Sequence, residues 1–516
     1  MRKFREIILL CTYHDQTQKP RHHSMIYKKS GKKKNSTPRN YFTGNKKTIP
    51  SKDKTKGLKK TELMAIPPLL EELISAFITE KTGKEISDSG ILDKIRQSVM
   101  AQKSSYWKES PGKSVKYGKA YDIFAYIAYH LPVYFTQFRS LFLNLRNEGG
   151  LPEGVILLDV GTGPGVVPLA AMDIWKSSPS GSLDIYAIEQ SAEHCEAFDF
   201  FTAGYNNSDS KITVHPVVKG DLTSLKPTGY PGLPKQATVI SFQNVLAELE
   251  HLSIPKRSEI VLSYTNLLEE NGFLIIVEPA ELRHATSLRR LQKELMKGGL
   301  HVYAPCSYLW GSNCDPAECW TFREDAPIQA TGLMKLLAGE DEGYRFINTD
   351  IKYSYLIMTK SEKVRCSYRV PRKNRMVRLS QLDRFESRVI SVAGARMSAD
   401  IGTGGMHIMK ICDGTCREPV YAVLSGRNRR PGHSALFSAE YGEVLTLSGV
   451  QVRRHTKHDA WNLIIRPDSE IVRVEPPKRP GNGAEKQTIP PDTTAELTGT
   501  AIKQQIPSKT RKTDTR

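Results

Sequence analysis

The sequence predicts an α/β protein: a doubly wound, mostly parallel sheet with a helical region before it and a smaller β-rich domain behind it. Three observations carry that expectation. From residue 154, apolar runs of strand length alternate with helical segments, the pattern of a parallel sheet covered by helices on both faces. The first run ends in a glycine-rich turn, Leu157-Leu-Asp-Val-Gly-Thr-Gly-Pro-Gly165, that leads straight into an apolar helix. From residue 366 the helical spacing gives way to short β-like runs separated by Gly, Asp and Asn.

In chain order, residues 64–148 read as helical. Leu69, Leu70, Leu73, Ile74 and Phe77 fall at helical spacing, and Gly83 stops that helix. The aromatic stretch from Tyr121 to Pro132 reads as core, with Pro132 opening a further helix to about Leu145. In the sheet region, 149–365, the expected strands are Val155–Leu158, Asp184–Ile188, Ile212–Val217, Ala237–Phe242, Phe273–Val277, Val302–Ala304 and Tyr353–Met358, with a helix near Ala285–Met296. Seven strands, the last two separated by a cysteine-bearing insertion at 304–325, fit the class I methyltransferase variant of the Rossmann-like fold. In 366–475 the β-like runs are Val389–Val392, His407–Ile411, Val420–Leu424, Glu443–Leu447 and Trp461–Ile465, which suit a small barrel or sandwich. After Val474 the chain turns to Pro, Thr, Gln and Lys without apolar periodicity, so 476–516 reads as a disordered tail.

The chain carries 74 Lys/Arg against 55 Asp/Glu, a net charge of +19, but the excess sits at its ends. Residues 1–60 hold 18 Lys/Arg against three acids and residues 476–516 hold eight against four, which leaves 61–475 formally neutral. Basic ends grip phosphate through counterion release, and they equally suit a solvated arm. Residues 1–63 are expected to be such an arm, dispensable to the core that opens at Met64. Its longest apolar run, Ile7 to Cys11, is far short of the ~20 residues that span a bilayer and short for a signal-peptide core. No membrane role is expected. The expected compartment is the cytoplasm, with the mitochondrial matrix as the alternative because the arm is basic and poor in acids.

Gly161, Gly163 and Gly165 follow a buried strand, where a tight turn and a close ligand approach both require glycine. The spacing is G-x-G-x-G, not the G-x-G-x-x-G of dinucleotide folds, which favours S-adenosylmethionine over a pyrophosphate ligand. Asp159 at the strand end is placed to orient the methionine ammonium. Glu189 closes the second strand, where an acid accepts the ribose hydroxyls, and Asp221 after the third is positioned to meet the adenine amine. The fourth strand runs into Ser241-Phe-Gln-Asn-Val-Leu-Ala-Glu248, without the Asn/Asp-Pro-Pro-aromatic motif of amine methyltransferases and without a Pro-Cys nucleophile. Asn244 and Glu248 are the polar catalytic candidates there. Methyl transfer proceeds by proximity alone if it must.

Cys306, Cys314 and Cys319 lie within 14 residues, and thiolates are soft ligands suited to zinc or an iron–sulfur cluster. A fourth ligand is needed, and Cys412 in Lys410-Ile-Cys-Asp-Gly-Thr-Cys416 is the first choice, with Cys416 and Cys366 in reserve. Neither gap is C-x₂-C, which disfavours a zinc ribbon. A metal joining 306–319 to Cys412 would clamp the β-rich domain onto the sheet.

These features together resemble the Rsm-twenty-two, or methyltransferase-like-seventeen, family of small-ribosomal-subunit proteins. The matching stretches are Tyr126–Pro132, Leu157–Gly165, Val245-Leu-Ala-Glu-Leu249, Glu278-Pro279, Ala304-Pro-Cys306 through Phe322, and Tyr353-Ser-Tyr-Leu356. The resemblance spans roughly 64–475. It implies a monomeric factor that binds the small ribosomal subunit and its rRNA during assembly and holds a [4Fe–4S] cluster, zinc being the alternative. By position, the cluster ligands are Cys306, Cys314, Cys319 and Cys412, with Gly161, Gly163 and Glu189 at the nucleotide. There are departures: the usual Cys-Pro-His reads Cys306-Ser-Tyr, and Cys319 precedes Phe322 by three positions instead of two. Members include methyltransferases and assembly factors that work without turnover.

Overall fold

The computed structural model describes residues 64–107, 120–311, 314, 319–339, 343–371, 373 and 375–474. The basic arm, the C-terminal tail and part of the cysteine insertion lie outside the described residues.

Alternation along each strand sets the layers. In β1 (Val155–Val160), β2 (Leu183–Glu189), β5 (Ala237–Gln243) and β6 (Leu268–Pro279), neighbouring side chains point to opposite faces of the sheet. Leu157, Ile185, Val239 and Ile275 join one core, while Leu158, Ile188, Ile240 and Ile276 join another. Both faces therefore need helices. The first is covered by α1 (Pro68–Thr82), α2 (Ser89–Trp107), α3 (Ala120–Ala125), α4 (Leu131–Asn147), α5 (Val166–Lys176) and α6 (Ala192–Asn206). The second is covered by α7 (Ile254–Thr265) and α8 (Leu282–Lys297). A short helix, α9 (Gly332–Ala338), packs on the first side.

With β3 (Ile212–Val214), β7 (His301–Ala304) and β9 (Ile351–Thr359), the principal strands run in the order β3-β2-β1-β5-β6-β9-β7. The first five are parallel, and β9 is antiparallel to both β6 and β7. The chain reverses its direction of winding between β1 and β5, so their carboxyl ends open the crevice where doubly wound sheets take ligands. Two small strands, β4 (Val218–Lys219) on β2 and β8 (Arg323–Asp325) on β9, complete the sheet.

Three local expectations shift. The run Ile212–Val217 breaks after Val214 because Pro216 has no N–H to give the ladder, and pairing resumes at Val218. The helix expected to open at Pro132 is continuous with α3 through a single π-helical segment, Tyr126–His130. Leu69 stands 36% exposed, since α1 turns Leu70, Ile74, Phe77 and Ile78 inward; Gly83, at φ +66°, ends that helix as expected.

The β-rich domain is a closed barrel. Its strands β10 (Val389–Arg396), β11 (Met406–Cys412), β12 (Val420–Ser425), β13 (Val444–His455) and β14 (Ala460–Ile465) pair in the order β10-β11-β12-β14-β13, and β13 closes on β10. All contacts are antiparallel except β12 with β14. A further strand, β15 (Glu470–Arg473), adds to β13, and Leu436 of the short helix α10 (Ser434–Ser438) fills the interior beside Leu447 and Leu463. β13 extends well past the expected Leu447, since Gly449, at φ +73°, bends the strand without ending it. Ala393, Ala395, Tyr441 and Val444 belong to the main core, so the barrel is packed onto the sheet domain.

Candidate functional site

The glycine turn lies at the carboxyl end of β1. Gly161, Gly163 and Gly165 have φ of +74°, +56° and +89°, in the left-handed region that a Cβ disfavours. Their surroundings differ. A Cβ on Gly161 would lie 2.7 Å from Val245 Cγ2, so this glycine serves close packing. A Cβ on Gly163 would meet nothing nearer than Tyr126 Oη and His194 Nδ1, each 3.9 Å away, so its surface is open to a ligand. Gly165 opens α5 beneath Phe198.

The acids flank this turn unequally. Asp159 is buried and accepts a 2.7 Å hydrogen bond from Ser241 Oγ; burial pushes its carboxyl up to about 7. Glu189, also buried, accepts from the amides of Gly163, Gln190 and Ser191 at 2.8–2.9 Å, which ties the second strand end to the turn. Asp221 is exposed, and its Oδ1 accepts from Thr223 N and Oγ1, both at 2.8 Å. It caps the turn after β4 at the same edge of the sheet.

Above the turn stands a ring cluster that the sequence placed in the core. The ring of Tyr126 lies 5.7 Å from those of His130 and His194 and 6.1 Å from Tyr134, with His130 stacked on Tyr134 at 5.4 Å. Burial pulls His130 down to about 4, so its imidazole is neutral at physiological pH. The π-helical segment supplies Tyr126 and His130, and such insertions recur at functional sites because they re-aim side chains out of helical register. The sequence signal was present in Tyr121–Pro132, where aromatic spacing alone does not separate a core face from a ligand-facing one.

At the end of β5, Gln243 donates its amide N–H to Tyr134 O at 2.9 Å, and its Oε1 is buried without a hydrogen-bond partner. Asn244 adopts φ +58°, donates its backbone N–H to Val277 O and leaves Nδ2 buried without a partner. A non-glycine residue held there at the crevice of the sheet is a strained, pre-set position. Glu248 lies half-buried one turn on, its N–H bonded to Val245 O. The segment is held from below by Glu278, whose carboxylate accepts from Leu246 N and Ala247 N at 3.0 Å each, and by Arg257, which donates to Leu246 O. Burial pushes Glu278 up to about 7. Gln243, Tyr126 and Glu278 as supports of this site were not singled out as such in the sequence.

The cysteines converge from two domains. Cys306 Sγ receives Gln292 Nε2 at 3.6 Å and lies 4.0 Å from Arg289 Nη1, a fully buried guanidinium. Cys319 Sγ lies 3.6 Å from Lys410 Nζ on β11, and Cys412 Sγ accepts from Gly414 N at 3.4 Å. Cys306, Cys314, Cys319 and Cys412 stand within electrostatic range of one another, and burial raises the thiols of Cys306, Cys412 and Cys314, the last to about 12. Cys416 packs on the barrel core beside Glu418 and Arg454, and Cys366 borders the main core near Tyr368. Among the described residues no three His, Cys, Asp or Glu side chains form a metal-holding group. Four thiols therefore share one region without closing a metal site.

Strand order, glycine turn and strand-end acids together define a class I methyltransferase-type Rossmann-like domain, here joined to a five-stranded barrel. Residues 380–474 match a family model described as the C-terminal domain of a domain of unknown function, DUF8157. No curated protein matches the chain. Among solved structures, the chain is similar to the magnesium protoporphyrin IX methyltransferase of Synechocystis, at 14% identity and a TM-score of 0.28, over 52% of this chain and 97% of that one. It is also similar to the precorrin-6y C5,15-methyltransferase of Geobacter metallireducens, at 15% identity and a TM-score of 0.25, over 45% and 88%. An S-adenosylmethionine-dependent methyltransferase of Clostridium acetobutylicum matches at 13% identity and a TM-score of 0.21 over 28% of this chain, and the match spans half of that protein's length. At this similarity neither substrate nor partner transfers from them.

Proposed function

We propose that the chain is an S-adenosylmethionine-binding, methyltransferase-like protein of the small ribosomal subunit, acting on rRNA or binding it during assembly. The observation that carries the nucleotide part is the open face of Gly163 between Asp159, Glu189 and the Tyr126 ring. In this reading Glu189 exchanges amide bonds for ribose hydroxyls, Asp159 faces the methionine ammonium, and Tyr126 and His194 roof the bound ligand and exclude water. S-adenosylmethionine supplies an electrophilic methyl group. Asn244, with its free side-chain N–H donors, holds the acceptor in line, and proximity does the rest.

The four thiols suit a soft metal centre by their chemistry, with amide and cationic donors aimed at the sulfurs. Cys306, Cys314, Cys319 and Cys412 would hold a [4Fe–4S] cluster, or a zinc ion in its place, as a structural clamp between sheet and barrel. The ribosomal assignment is supported by the resemblance of the cysteine segment.

A second reading keeps the pocket without turnover, as a ribosome-assembly factor. The absence of Asn/Asp-Pro-Pro-aromatic at Asn244-Val-Leu-Ala favours it. A small-molecule methyltransferase is the third. Incubating immature small subunits with the chain and methyl-tritiated S-adenosylmethionine separates them. Label in rRNA supports transfer; co-sedimentation without label supports the assembly factor; either result overturns the small-molecule reading, which requires that both fail.

A further inference from the structure

Charge is segregated within the neutral middle of the chain. Residues 61–365 carry 30 Lys/Arg against 37 Asp/Glu, whereas 366–475 carry 18 against 11. The neutrality is the sum of an acidic sheet domain and a basic C-terminal region, in which the lead-in segment 366–388 carries seven Lys/Arg against two acids and the barrel itself, 389–473, carries 11 against eight.

The barrel's topology gives the cations of one of its loops a place to act. Numbered from its first strand, it closes in the order 1-2-3-5-4-1 with the third and fifth strands parallel, the arrangement of OB-type barrels. Such barrels take oligonucleotides over the face of their second and third strands, with the loops between strands one and two and between strands four and five; the connection from the third to the fourth strand leaves that same face at Ser425. Here one end of that face is covered. Lys410 of β11 donates to Trp320 O at 2.8 Å and reaches Cys319, so the cysteine loop lies against it. The other end is open, where Met406 pairs with Ser425 and stands 37% exposed.

A basic loop runs across this open end. Between Pro419 and Ala439 there is no acidic residue, and Arg427, Arg429 and Arg430 are all exposed. No carboxylate pairs with any of the three among the described residues. The loop is fixed in place: Gly426 N donates to Gly405 O at 2.7 Å, and buried His433 accepts from Arg430 N while its other nitrogen meets Ser469 O. Arg429 lies 4.1 Å over the Phe437 ring, which makes a flat cationic platform. Arg430 also donates to Arg427 O at 3.2 Å and Arg429 O at 2.8 Å, which steadies its guanidinium without neutralising it. Cations without a carboxylate partner on a rigid rim, a stacking surface and an exposed apolar side chain are what a single strand needs for phosphates and unstacked bases.

We propose that this rim, formed by Met406, Ser425 and the Arg427–Arg430 loop, binds single-stranded RNA. The proposal deepens the ribosomal reading, but it is tested with an oligonucleotide so that the two stand or fall apart. The full chain, wild type and R427Q/R429Q/R430Q, is titrated with a fluorescent single strand of about 12 nucleotides, and with a duplex of the same composition, between about 50 and 200 mM salt. The basic arm contributes equally to both proteins. In the variant the single-strand affinity falls at least about tenfold and the salt slope loses about two units, at ~0.7 per phosphate contact. Arg453→Gln, an exposed arginine on β13, changes neither. An unchanged affinity and slope in the triple variant overturns the proposal, as does an equal loss with the duplex or with Arg453→Gln. Loss of subunit co-sedimentation with oligonucleotide binding intact in the wild type overturns the ribosomal reading alone.

Discussion

Three glycines in one turn do different work, and substitution separates them. Gly161→Ala forces a Cβ against Val245 in a left-handed backbone, so it lowers stability by about 2–4 kcal/mol in a denaturation curve. Gly163→Ala has open space and loses only about 1–2 kcal/mol, the left-handed penalty, yet it blocks ligand approach and abolishes S-adenosylmethionine binding. The reverse ranking would remove Gly163 from the pocket. Asp159 offers a pH signature. Its folded-state value of about 7 lies above the ordinary carboxylate range, so the folded chain holds a proton that the unfolded chain releases. Stability from this group is full below about 4 and is lost as pH rises through about 7. Ligand binding runs the other way, because the ammonium needs the carboxylate: affinity climbs through about pH 7. Asp159→Asn flattens both trends and weakens binding about tenfold or more, readable by calorimetry across pH. The turn and the acids Asp159 and Glu189 were legible because each ends an apolar strand. Tyr126 and Gln243 were not, since only the fold brings a helix and the end of β5 over a turn distant in sequence.

At the scale of elements, the loop after β5 is shaped from beneath by a strand end. Glu278→Gln leaves one acceptor where two amides donate, so residues 245–248 exchange amide hydrogens faster and the melting temperature falls by a few degrees, about 1–2 kcal/mol. Binding of S-adenosylmethionine, which uses β1 and β2, changes little. An unchanged exchange pattern would take Glu278 out of this role. The cysteine loop makes a matching claim about the barrel. Anaerobically purified protein is expected to be brown, absorbing near ~400 nm as thiolate-bound iron–sulfur centres do. Cys412→Ser lowers metal content and loosens the barrel while the nucleotide site persists. Colourless protein with stoichiometric zinc would replace the iron assignment, and full metal content in Cys412→Ser would remove that ligand. Strand positions were readable as apolar runs of strand length bounded by turn residues. The closure of β13 on β10 was not, because Gly449 reads as a stop in sequence and acts as a bend in the fold.

For the whole molecule, the sequence showed charge by segment ends and concealed it by domain. Basic tails dominate the total, and a sum over 61–475 cancels the acidic excess of 61–365 against the basic excess of 366–475, so the arginines at 427, 429 and 430 stand out only when the fold sets them on one rim. The molecule thus combines a nucleotide crevice at β1 and β5 with a basic rim on the barrel, joined near four thiols. Each part admits its own test, and the crevice comes first because nucleotide binding depends on it alone. Titration calorimetry of S-adenosylmethionine into the full chain and into Gly163→Val measures it directly. A single site is expected in the wild type, lost in a folded variant. A folded wild type that binds nothing, or a variant that binds as well, would contradict it.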